Sequence, residues 1–449
     1  MHDHEPDFWR NLRSELAGGQ HWVDRAVVLA YAAIAGLVVV GFTLLADAAS
    51  EAFEHLRHLG EFGAWLPLAW TPALTVALLW WTRRYVPGAL GSGIPQVMFA
   101  IDDDTPPPRR ASLVSLRLSL HKIGLVSGGL LAGLSIGREG PTVQVGAGVM
   151  QHASRWLSPH SGIDAHDLMV AGAAAGIAAA FNTPLGGVIF ALEQLSRRRS
   201  MSHSSIVIVC IVLSGLVAVS MFGNLSYFGE LQVQQVTWSL FGPGLLVAVS
   251  AGLAGGLFSR LIVASARGLP DRFSRWRVTY PLRFAAACAL GVALIGILTN
   301  GATAGAGYAP TRALLEAQGE LPALYTLLKF CATWLSAWTG VPAGVFAPSL
   351  AIGAGIGHDV AALTGVTAEA AIPLIALGMV GFLAATTQGP ITAFIIVMEM
   401  VSGQAMVLSL MASSLLSSGV ARLVTRPMYQ ELAAMLPVPV AGEPDRPRG

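Results

Sequence analysis

The sequence predicts an all-α protein that crosses a membrane several times and is built from two related halves. Apolar residues make up 54% of its 449 residues and charged residues only 12%, which is about half the average of soluble domains. The 50 glycines suit helices that pack closely within a membrane. This composition excludes a disordered chain, a nucleic-acid binder and an ordinary cytosolic enzyme.

Long apolar stretches without charged residues predict the spanning elements. The first, residues 26–46, is long enough to cross a hydrocarbon core of about 30 Å. Such stretches must be helical, because lipid leaves every backbone polar group to be satisfied within the protein. Further stretches follow in chain order at residues 168–192, 205–229, 231–259, 284–311, 330–357, 371–398 and 400–421.

Proline and glycine interrupt the apolar stretches at four places. An interrupted backbone is tolerated at membrane depth only where it is buried or lines a cavity. Any one interruption is explained by a proline kink, but four in matching places predict broken helices that meet at a site. The four dipeptides are Gly140-Pro141, Thr183-Pro184, Ala347-Pro348 and Gly389-Pro390.

The second half of the chain repeats the first at an offset of 207 or 206 residues. The segment Gly137-Arg-Glu-Gly-Pro141 matches Gly344-Val-Phe-Ala-Pro348, and the two lysines of the chain, Lys122 and Lys329, share the same offset. A repeated multi-helix unit with broken helices is typical of transporters and channels. The residues alone leave open whether the halves are inverted.

The repeat predicts four regions. A cytoplasmic N-terminal segment at 1–25 precedes a first transmembrane half at 26–224 and a second at 225–429, and a short cytoplasmic tail occupies 430–449. Three arginines at 197–199 follow a span directly, which places that end of the span in the cytoplasm by the positive-inside rule.

Two glycine- and proline-containing segments are candidate anion sites. Gly91-Ser92-Gly93-Ile94-Pro95 places a hydroxyl at the beginning of a helix, and Val345 and Phe346 lie at a second such beginning. Helix beginnings carry unpaired N–H groups and a positive partial charge that attract anions. In isolation, a turn or a kink explains each segment more simply.

Glu139 is the candidate gate. Its carboxyl group lies in an apolar region, where a charge costs several kcal/mol unless it is paired, protonated or placed in a water-filled pathway. The adjacent Arg138 is a poor partner, because neighbouring residues on a helix do not face each other. A carboxylate at a helix start imitates an anion, so it blocks an anion path when charged and vacates it when protonated.

Other polar residues leave alternatives open. Lys122 either supplies positive potential to the anion path or extends to the membrane interface. Tyr429 is either an interfacial tyrosine or a hydroxyl donor to an ion. Glu193 and Glu399 end apolar helices, and we expect them to cap or pair structurally.

The sequence contains no motif for a catalytic nucleophile, a metal, a phosphate or a dinucleotide. We therefore predict a protein that is not an enzyme, with no cofactor and no metal site. The cysteines at 210, 288 and 331 lie in apolar stretches and are expected to pack as unpaired residues.

These motifs together resemble those of the CLC family of chloride channels and chloride/proton antiporters. The resemblance extends from about Gly91 to Tyr429 and includes GSGIP at 91–95, GREGP at 137–141 and GVFAP at 344–348. It implies a homodimer in which each subunit has its own pore, formed between two inverted halves of broken, tilted helices.

The resemblance also implies the roles of individual residues. Chloride would be bound around the 91–95 motif and at the second helix start, with Glu139 as the gate and Lys122 near the pathway. Serine at 92 favours chloride over nitrate or fluoride. The implied chloride ligands are Ser92, Gly93, Ile94, Val345, Phe346 and Tyr429.

One departure from the family pattern concerns protons. Antiporters of this type usually carry a second, inward-facing glutamate on a proton pathway that also includes the gate, here Glu139, and the matching residue is Gln194. Glutamine cannot bind and release a proton near neutral pH, so strict coupling is in doubt. Position 96 also differs, since Gln96 stands where a glutamate is common.

The leading hypothesis is chloride transport gated by Glu139, with weak proton coupling. A fully coupled chloride/proton antiporter is the alternative, and a fluoride-selective relative is disfavoured by Ser92. An intramembrane enzyme or a nontransporting scaffold would leave the matched helix breaks unexplained. The expected transported ions are chloride and, if transport is coupled, protons. The lipid bilayer is the expected surrounding partner, and no nucleic acid is expected to bind. The expected location is the bacterial inner (plasma) membrane.

Overall fold

The computed structural model describes residues 19–60, 62–196, 204–223, 228, 238–318 and 321–436. Within these ranges the regular structure is helical. The described residues form no β-sheet and contain one isolated antiparallel backbone bridge. The helices of the first half are α1 (Gly19–Arg57), α2 (Pro67–Tyr85), α3 (Ile94–Ala100), α4 (Pro107–Leu113), α5 (Leu116–Leu131), α6 (Glu139–Ala153), α7 (Ala165–Phe181), α8 (Pro184–Phe190) and α9 (Ser204–Phe222).

The second half continues the series with a similar alternation of long and short helices. Across the described ranges, seven helices are long and apolar enough to cross a membrane, which agrees with the predicted polytopic all-α class. The helices are α10 (Phe241–Arg267), α11 (Arg272–Thr279), α12 (Pro281–Leu298), α13 (Tyr308–Leu315), α14 (Tyr325–Trp338), α15 (Phe346–Leu363), α16 (Ala368–Thr387), α17 (Pro390–Met400), α18 (Val407–Val424) and α19 (Met428–Ala434).

The interruptions predicted at Thr183-Pro184 and Gly389-Pro390 are confirmed as breaks between helices. The stretch at 168–192 divides into α7 and α8, and the stretch at 371–398 divides into α16 and α17. The residues at the two breaks, Asn182 and Gln388, have positive φ angles of 57° and 51°. Each break lies just before a proline, which disfavours helical backbone in the residue that precedes it.

Two further stretches are also divided, because turns interrupt them. The stretch at 330–357 contains the end of α14 and the start of α15, and the stretch at 284–311 contains the end of α12 and the start of α13. The pairs Gly140-Pro141 and Ala347-Pro348 lie in the first turns of α6 and α15. They mark helix beginnings, where proline costs no hydrogen bond.

Backbone hydrogen bonds between equivalent residues define an internal two-fold relation. The Gly137 N–H donates to the Gly344 carbonyl at 2.7 Å, and the Gly344 N–H donates to the Gly137 carbonyl at 3.0 Å. The two residues differ by the repeat offset and form an antiparallel bridge. A two-fold rotation exchanges two residues paired in this way, as expected for inverted halves.

The two short helices that follow the breaks are capped reciprocally. Glu193 accepts hydrogen bonds from the N–H groups of Ile391 and Thr392 at the start of α17, at 3.2 and 2.7 Å. Glu399 accepts from Leu185 and Gly186 at the start of α8, also at 3.2 and 2.7 Å. Each half thus caps a helix of the other, and the predicted structural role of both glutamates is confirmed.

Some boundaries fall on residues that the structure does not describe. The predicted division at 224/225 and the arginines at 197–199 lie outside the described residues, as do 1–18 and 437–449. Residues 19–25 belong to α1, and residues 430–434 belong to α19, so these parts of the predicted terminal segments continue helices. The three cysteines are unpaired.

Candidate functional site

The Ser92 turn, residues 91–94, leads into α3. Gly91 and Gly93 have φ angles of 73° and 105°, which glycine adopts without the steric cost of a side chain. The Ser92 side chain packs against Gly140 in the first turn of α6. The turn therefore presents the Ser92 hydroxyl to the beginning of the helix that carries Glu139.

Gln96 fixes the shape of this turn. Its Oε1 accepts from the Gly93 N–H at 2.9 Å, and its Nε2 donates to the Leu90 carbonyl at 2.5 Å. An amide can accept and donate at once, whereas an ionised carboxylate can only accept. The Gly93 N–H is thus already occupied. Gly93 as a chloride ligand stays a prediction, and in this structure the Gln96 side chain takes its N–H.

The Glu139 carboxylate is fully buried and lies at the start of the opposite helix. Its Oε2 accepts from the Ala347 N–H at 3.4 Å, within the first turn of α15. The carboxylate also interacts with its own backbone N–H at the start of α6 and packs against Gly137. One carboxylate therefore lies between the beginnings of two helices, where positive partial charges converge.

The neighbouring arginine has its own partner. The Arg138 guanidinium forms an ion pair with Asp47 of α1 and donates to the Thr43 carbonyl at 3.3 Å. The Arg138 side chain is 3% exposed and that of Asp47 is 47% exposed. The arginine that adjoins Glu139 in the chain is therefore paired with an exposed carboxylate in the C-terminal half of α1.

Ser92 and Tyr429 bring two buried hydroxyls to the same place. The Tyr429 side chain lies near enough to interact with both Ser92 and Glu139, and Tyr429 is only 2% exposed. The two hydroxyls face each other, and within the described residues neither makes a hydrogen bond of normal geometry. A buried hydroxyl without a partner is costly, so this pair is suited to bind a ligand. The interfacial alternative for Tyr429 is wrong, because the residue is buried.

The other predicted anion ligands lie around these groups. Ile94 is the first residue of α3, and Phe346 is the first residue of α15, preceded by Val345. All three side chains are buried. Phe346 also packs against Phe181 at the end of α7, with ring centroids 5.7 Å apart. The two helix beginnings are thus enclosed by apolar side chains, which strengthens electrostatic attraction by excluding water.

Lys122 points into the protein. Its Nζ donates to the Ala89 and Gly91 carbonyls, both at 2.7 Å, and the residue is fully buried. The alternative in which Lys122 extends to the membrane interface is therefore wrong. The lysine places a donor group directly behind the Ser92 turn.

Gln194 lies away from this cluster, after α8. It is 4% exposed, and its Nε2 packs against Gly389 at the α16–α17 break. Among the described residues this Nε2 has no hydrogen-bond partner. The buried amide therefore lies at the boundary between the halves, beside the capping residue Glu193.

Sequence reasoning missed Tyr308. Its hydroxyl donates to Glu139 Oε1, and it lies 169 residues further along the chain. A signal was present, because Gly305-Ala306-Gly307-Tyr308 repeats the pattern of Gly91-Ser92-Gly93-Ile94. The offset of 214 differs from that of the other repeats, which conceals the relation.

Helix beginnings that converge around a buried acid, inside a bundle of membrane-spanning helices, are the arrangement of an ion-transport protein. The chain belongs to the family described as "Voltage gated chloride channel", which matches residues 73–422. This membership confirms the predicted CLC resemblance. It also confirms that the protein is not an enzyme, because the family comprises channels and transporters.

Curated relatives cover most of the chain. The H(+)/Cl(-) exchange transporter ClcA of Vibrio parahaemolyticus is 30% identical over 420 residues, covering 89% of this chain and 86% of its own. The protein of the same name from Vibrio cholerae is 29% identical over 433 residues, covering 87% of this chain and 86% of its own.

Solved structures share the fold. A slow cyanobacterial Cl-/H+ antiporter superposes with a TM-score of 0.76 at 21% identity, covering 92% of this chain and 97% of its own. A CLC-type fluoride/proton antiporter gives 0.73 at 23% identity, covering 89% of this chain and 95% of its own. These similarities confirm the polytopic all-α CLC fold.

Proposed function

We propose that the protein transports chloride across the membrane through a pore in each subunit, with Glu139 as a protonatable gate. The observation that carries the proposal is the position of its carboxylate, which accepts from the Ala347 N–H beside the unpartnered hydroxyls of Ser92 and Tyr429. A charged carboxylate in this position repels an anion from the start of α15 and from the neighbouring hydroxyls. Protonation removes its charge and lets the side chain leave this place.

The anion ligands follow from the same geometry. Chloride would accept from the Ser92 and Tyr429 hydroxyls and from backbone N–H groups at the starts of α3 and α15, around Ile94, Val345 and Phe346. Gly93 contributes the shape of the turn and not its N–H, which Gln96 occupies. Lys122 orients the turn through two carbonyls and adds a donor group behind it.

A purified protein in liposomes tests the gate. Chloride efflux from wild type should rise as the external pH falls, whereas Glu139→Gln should transport at a rate independent of pH. Glu51→Gln changes an exposed carboxylate on α1 and should behave as wild type. Loss of all flux in folded Glu139→Gln, or retention of its pH dependence, would contradict the gate assignment.

The mode of transport has two candidates. Gln194 at the family's inner proton position favours weak coupling, because an amide does not titrate near neutral pH. Full chloride/proton exchange is favoured by the names of the Vibrio relatives, which are called exchange transporters. The pathway in either case would run between Glu139 and the region of Gln194.

A coupling assay separates the two candidates. An outward chloride gradient is imposed on liposomes containing a pH-sensitive dye, and proton uptake against its own gradient is measured. Weak coupling predicts little uphill proton movement in wild type and a clear increase in Gln194→Glu, which restores a titratable group of nearly the same shape. Strong uphill movement in wild type would overturn weak coupling and leave the chloride assignment intact.

The assembly and location are part of the proposal. We expect a homodimer with one pore in each subunit, two inverted halves in each chain, and insertion in the bacterial inner membrane. Light scattering of the purified protein should give the mass of two chains after correction for detergent. A stable monomer with full activity would contradict the dimer.

Fluoride selectivity is disfavoured by Ser92 and would appear as fluoride flux above chloride flux.

A further inference from the structure

Tyr308 makes a direct contact with the gate that the proposed function does not use. Its hydroxyl donates to Glu139 Oε1, while Oε2 of the same carboxylate accepts from the Ala347 N–H. Both oxygens of the carboxylate are therefore engaged, one by a backbone donor of α15 and one by a side chain at the start of α13. A hydrogen bond to a charged acceptor is stronger than one between neutral groups.

The backbone that carries Tyr308 is held in place from behind. We call residues 305–308 the Tyr308 turn. Lys329 Nζ donates to the Thr303 and Gly305 carbonyls at 2.9 and 2.8 Å, and Lys329 is fully buried. Gly305 and Gly307 have φ angles of 59° and 87°, so the chain turns sharply before α13 begins. The backbone from which the Tyr308 side chain extends is therefore fixed.

The Tyr308 ring is also fixed from its sides. The Arg138 guanidinium lies 5.5 Å from the ring centroid, at a distance suited to a cation–π interaction. Phe228 packs against it with ring centroids 5.9 Å apart. Because Arg138 is in turn paired with Asp47, the ring is held between an ion-paired arginine and an aromatic residue.

We propose that Tyr308 is a positioning residue that holds the Glu139 carboxylate in its closed place at the start of α15. The inference rests on the proposed function, because it assumes that Glu139 is the gate. The Tyr308 hydroxyl donates to the carboxylate and stabilises its charged form in this place. To leave that place, Glu139 must break the Tyr308 hydrogen bond as well as the contact with Ala347. Tyr308 therefore sets the pH at which the gate opens.

The charged and titratable groups around Glu139 are few among the described residues. Arg138 precedes it on the chain and attracts the carboxylate, and Asp47 of α1 pairs with that arginine. Tyr308 of α13 and Tyr429 of α19 both face the carboxylate. From α15 the contact is the uncharged Ala347 N–H. Tyr308 is the side chain in this set that donates directly to a carboxylate oxygen.

Removing the hydroxyl alone tests the proposal. Tyr308→Phe keeps the ring contacts and deletes the hydrogen bond, so the carboxylate should take up a proton and leave its place at a higher pH. In liposome efflux assays we expect the midpoint of the pH dependence to rise by about one pH unit, with the half-saturating chloride concentration unchanged. The matched control is Tyr325→Phe, since that buried hydroxyl has no partner in the part of the chain the structure describes.

Two further measurements keep the outcomes distinct. In a Glu139→Gln background, Tyr308→Phe should change nothing, because the carboxylate that it holds is gone. An unchanged pH midpoint in Tyr308→Phe would overturn the positioning role. A higher half-saturating chloride concentration without a midpoint shift would also overturn it and would make Tyr308 an anion ligand instead. If Glu139→Gln itself lost flux or kept its pH dependence, the proposed function would fail instead.

Discussion

The Ser92 turn and the Tyr308 turn have the same construction and different chemistry. Each runs from one glycine with positive φ to another and leads into a short helix, α3 or α13. Each is held by a fully buried lysine that donates to the first carbonyl of the turn and to the carbonyl two residues before it, at 2.7 to 2.9 Å. The two-fold relation that pairs Gly137 with Gly344 therefore extends to these turns.

The difference lies in the side chain that each turn presents. The first turn offers the Ser92 hydroxyl to a region where it has no partner among the described residues. The second turn has Ala306 at the position equivalent to Ser92. It presents instead the hydroxyl of Tyr308, the first residue of α13, to the Glu139 carboxylate. A duplicated backbone thus supplies one turn suited to a mobile anion and one suited to a fixed carboxylate.

The largest effect is expected from adding a methyl group to either turn. A Cβ at Gly93 would lie 2.9 Å from the Gly140 carbonyl oxygen, and a Cβ at Gly307 would lie 2.5 Å from the Ala351 Cβ. Both positions also have positive φ, which disfavours a side chain. We expect Gly93→Ala and Gly307→Ala each to lower stability by about 3 kcal/mol, measured by thermal unfolding in detergent.

A third glycine separates crowding from backbone strain. Gly365 has a φ of 69° and no atom within 4 Å of an added Cβ. Gly365→Ala should therefore cost only about 1 kcal/mol. Equal losses at all three positions would mean that the close approach of the turns to α6 and α15 contributes nothing.

The two lysines should give distinct functional phenotypes of intermediate size. Lys122→Met leaves the carbonyls behind Ser92 without their donor, so we expect the half-saturating chloride concentration to rise about tenfold. Lys329→Met loosens the turn that carries Tyr308, so we expect the pH midpoint of efflux to rise with little change in half-saturation. Both quantities are measured in the same liposome assay.

The control for the lysines is a cation on the same helix as Lys122. Arg117 is exposed on α5, and Arg117→Met should leave both quantities unchanged. If the two lysine variants were indistinguishable, the functional division between the turns would be wrong even if both variants folded.

The smallest effect is expected from Gln96, whose amide braces the Ser92 turn. Gln96→Glu keeps the acceptor for the Gly93 N–H and loses the donor to the Leu90 carbonyl. We expect a loss of about 1 kcal/mol in unfolding free energy. Gln96→Ala removes both hydrogen bonds and should cost more. An alanine variant as stable as the glutamate variant would contradict the bracing role.

The features predicted correctly from sequence are those that the repeat or a local motif records. The matching lysines and the Gly-x-x-x-Pro segments predicted related halves, and the isolated acid in GREGP predicted Glu139 at a helix start. Position in the chain does not reveal which distant group meets that acid. Tyr308 was therefore missed, and the choice for Lys122 between an inward and an interfacial position needed the structure.

The breaks within apolar stretches were only partly predictable. Proline marks where α8 and α17 begin, but the left-handed residues Asn182 and Gln388 carry no strong signal of their own. Hydropathy alone does not show the breaks in 168–192 and 371–398, because both sides of each break are equally apolar, and the prolines were the signal that predicted them. Hydropathy predicts which residues lie in the membrane. It does not predict where a helix ends and the backbone changes direction within an apolar stretch.

The reciprocal capping by Glu193 and Glu399 has a consequence for biosynthesis. The first half leaves the ribosome before α17 exists, so Glu193 lacks the N–H groups that it accepts from in the finished protein, and the start of α8 lacks Glu399. Neither short helix has its cap until both halves of the chain are present. We therefore expect a late docking step in which each half caps a helix of the other, and two separately expressed halves should reach the native state only when produced together.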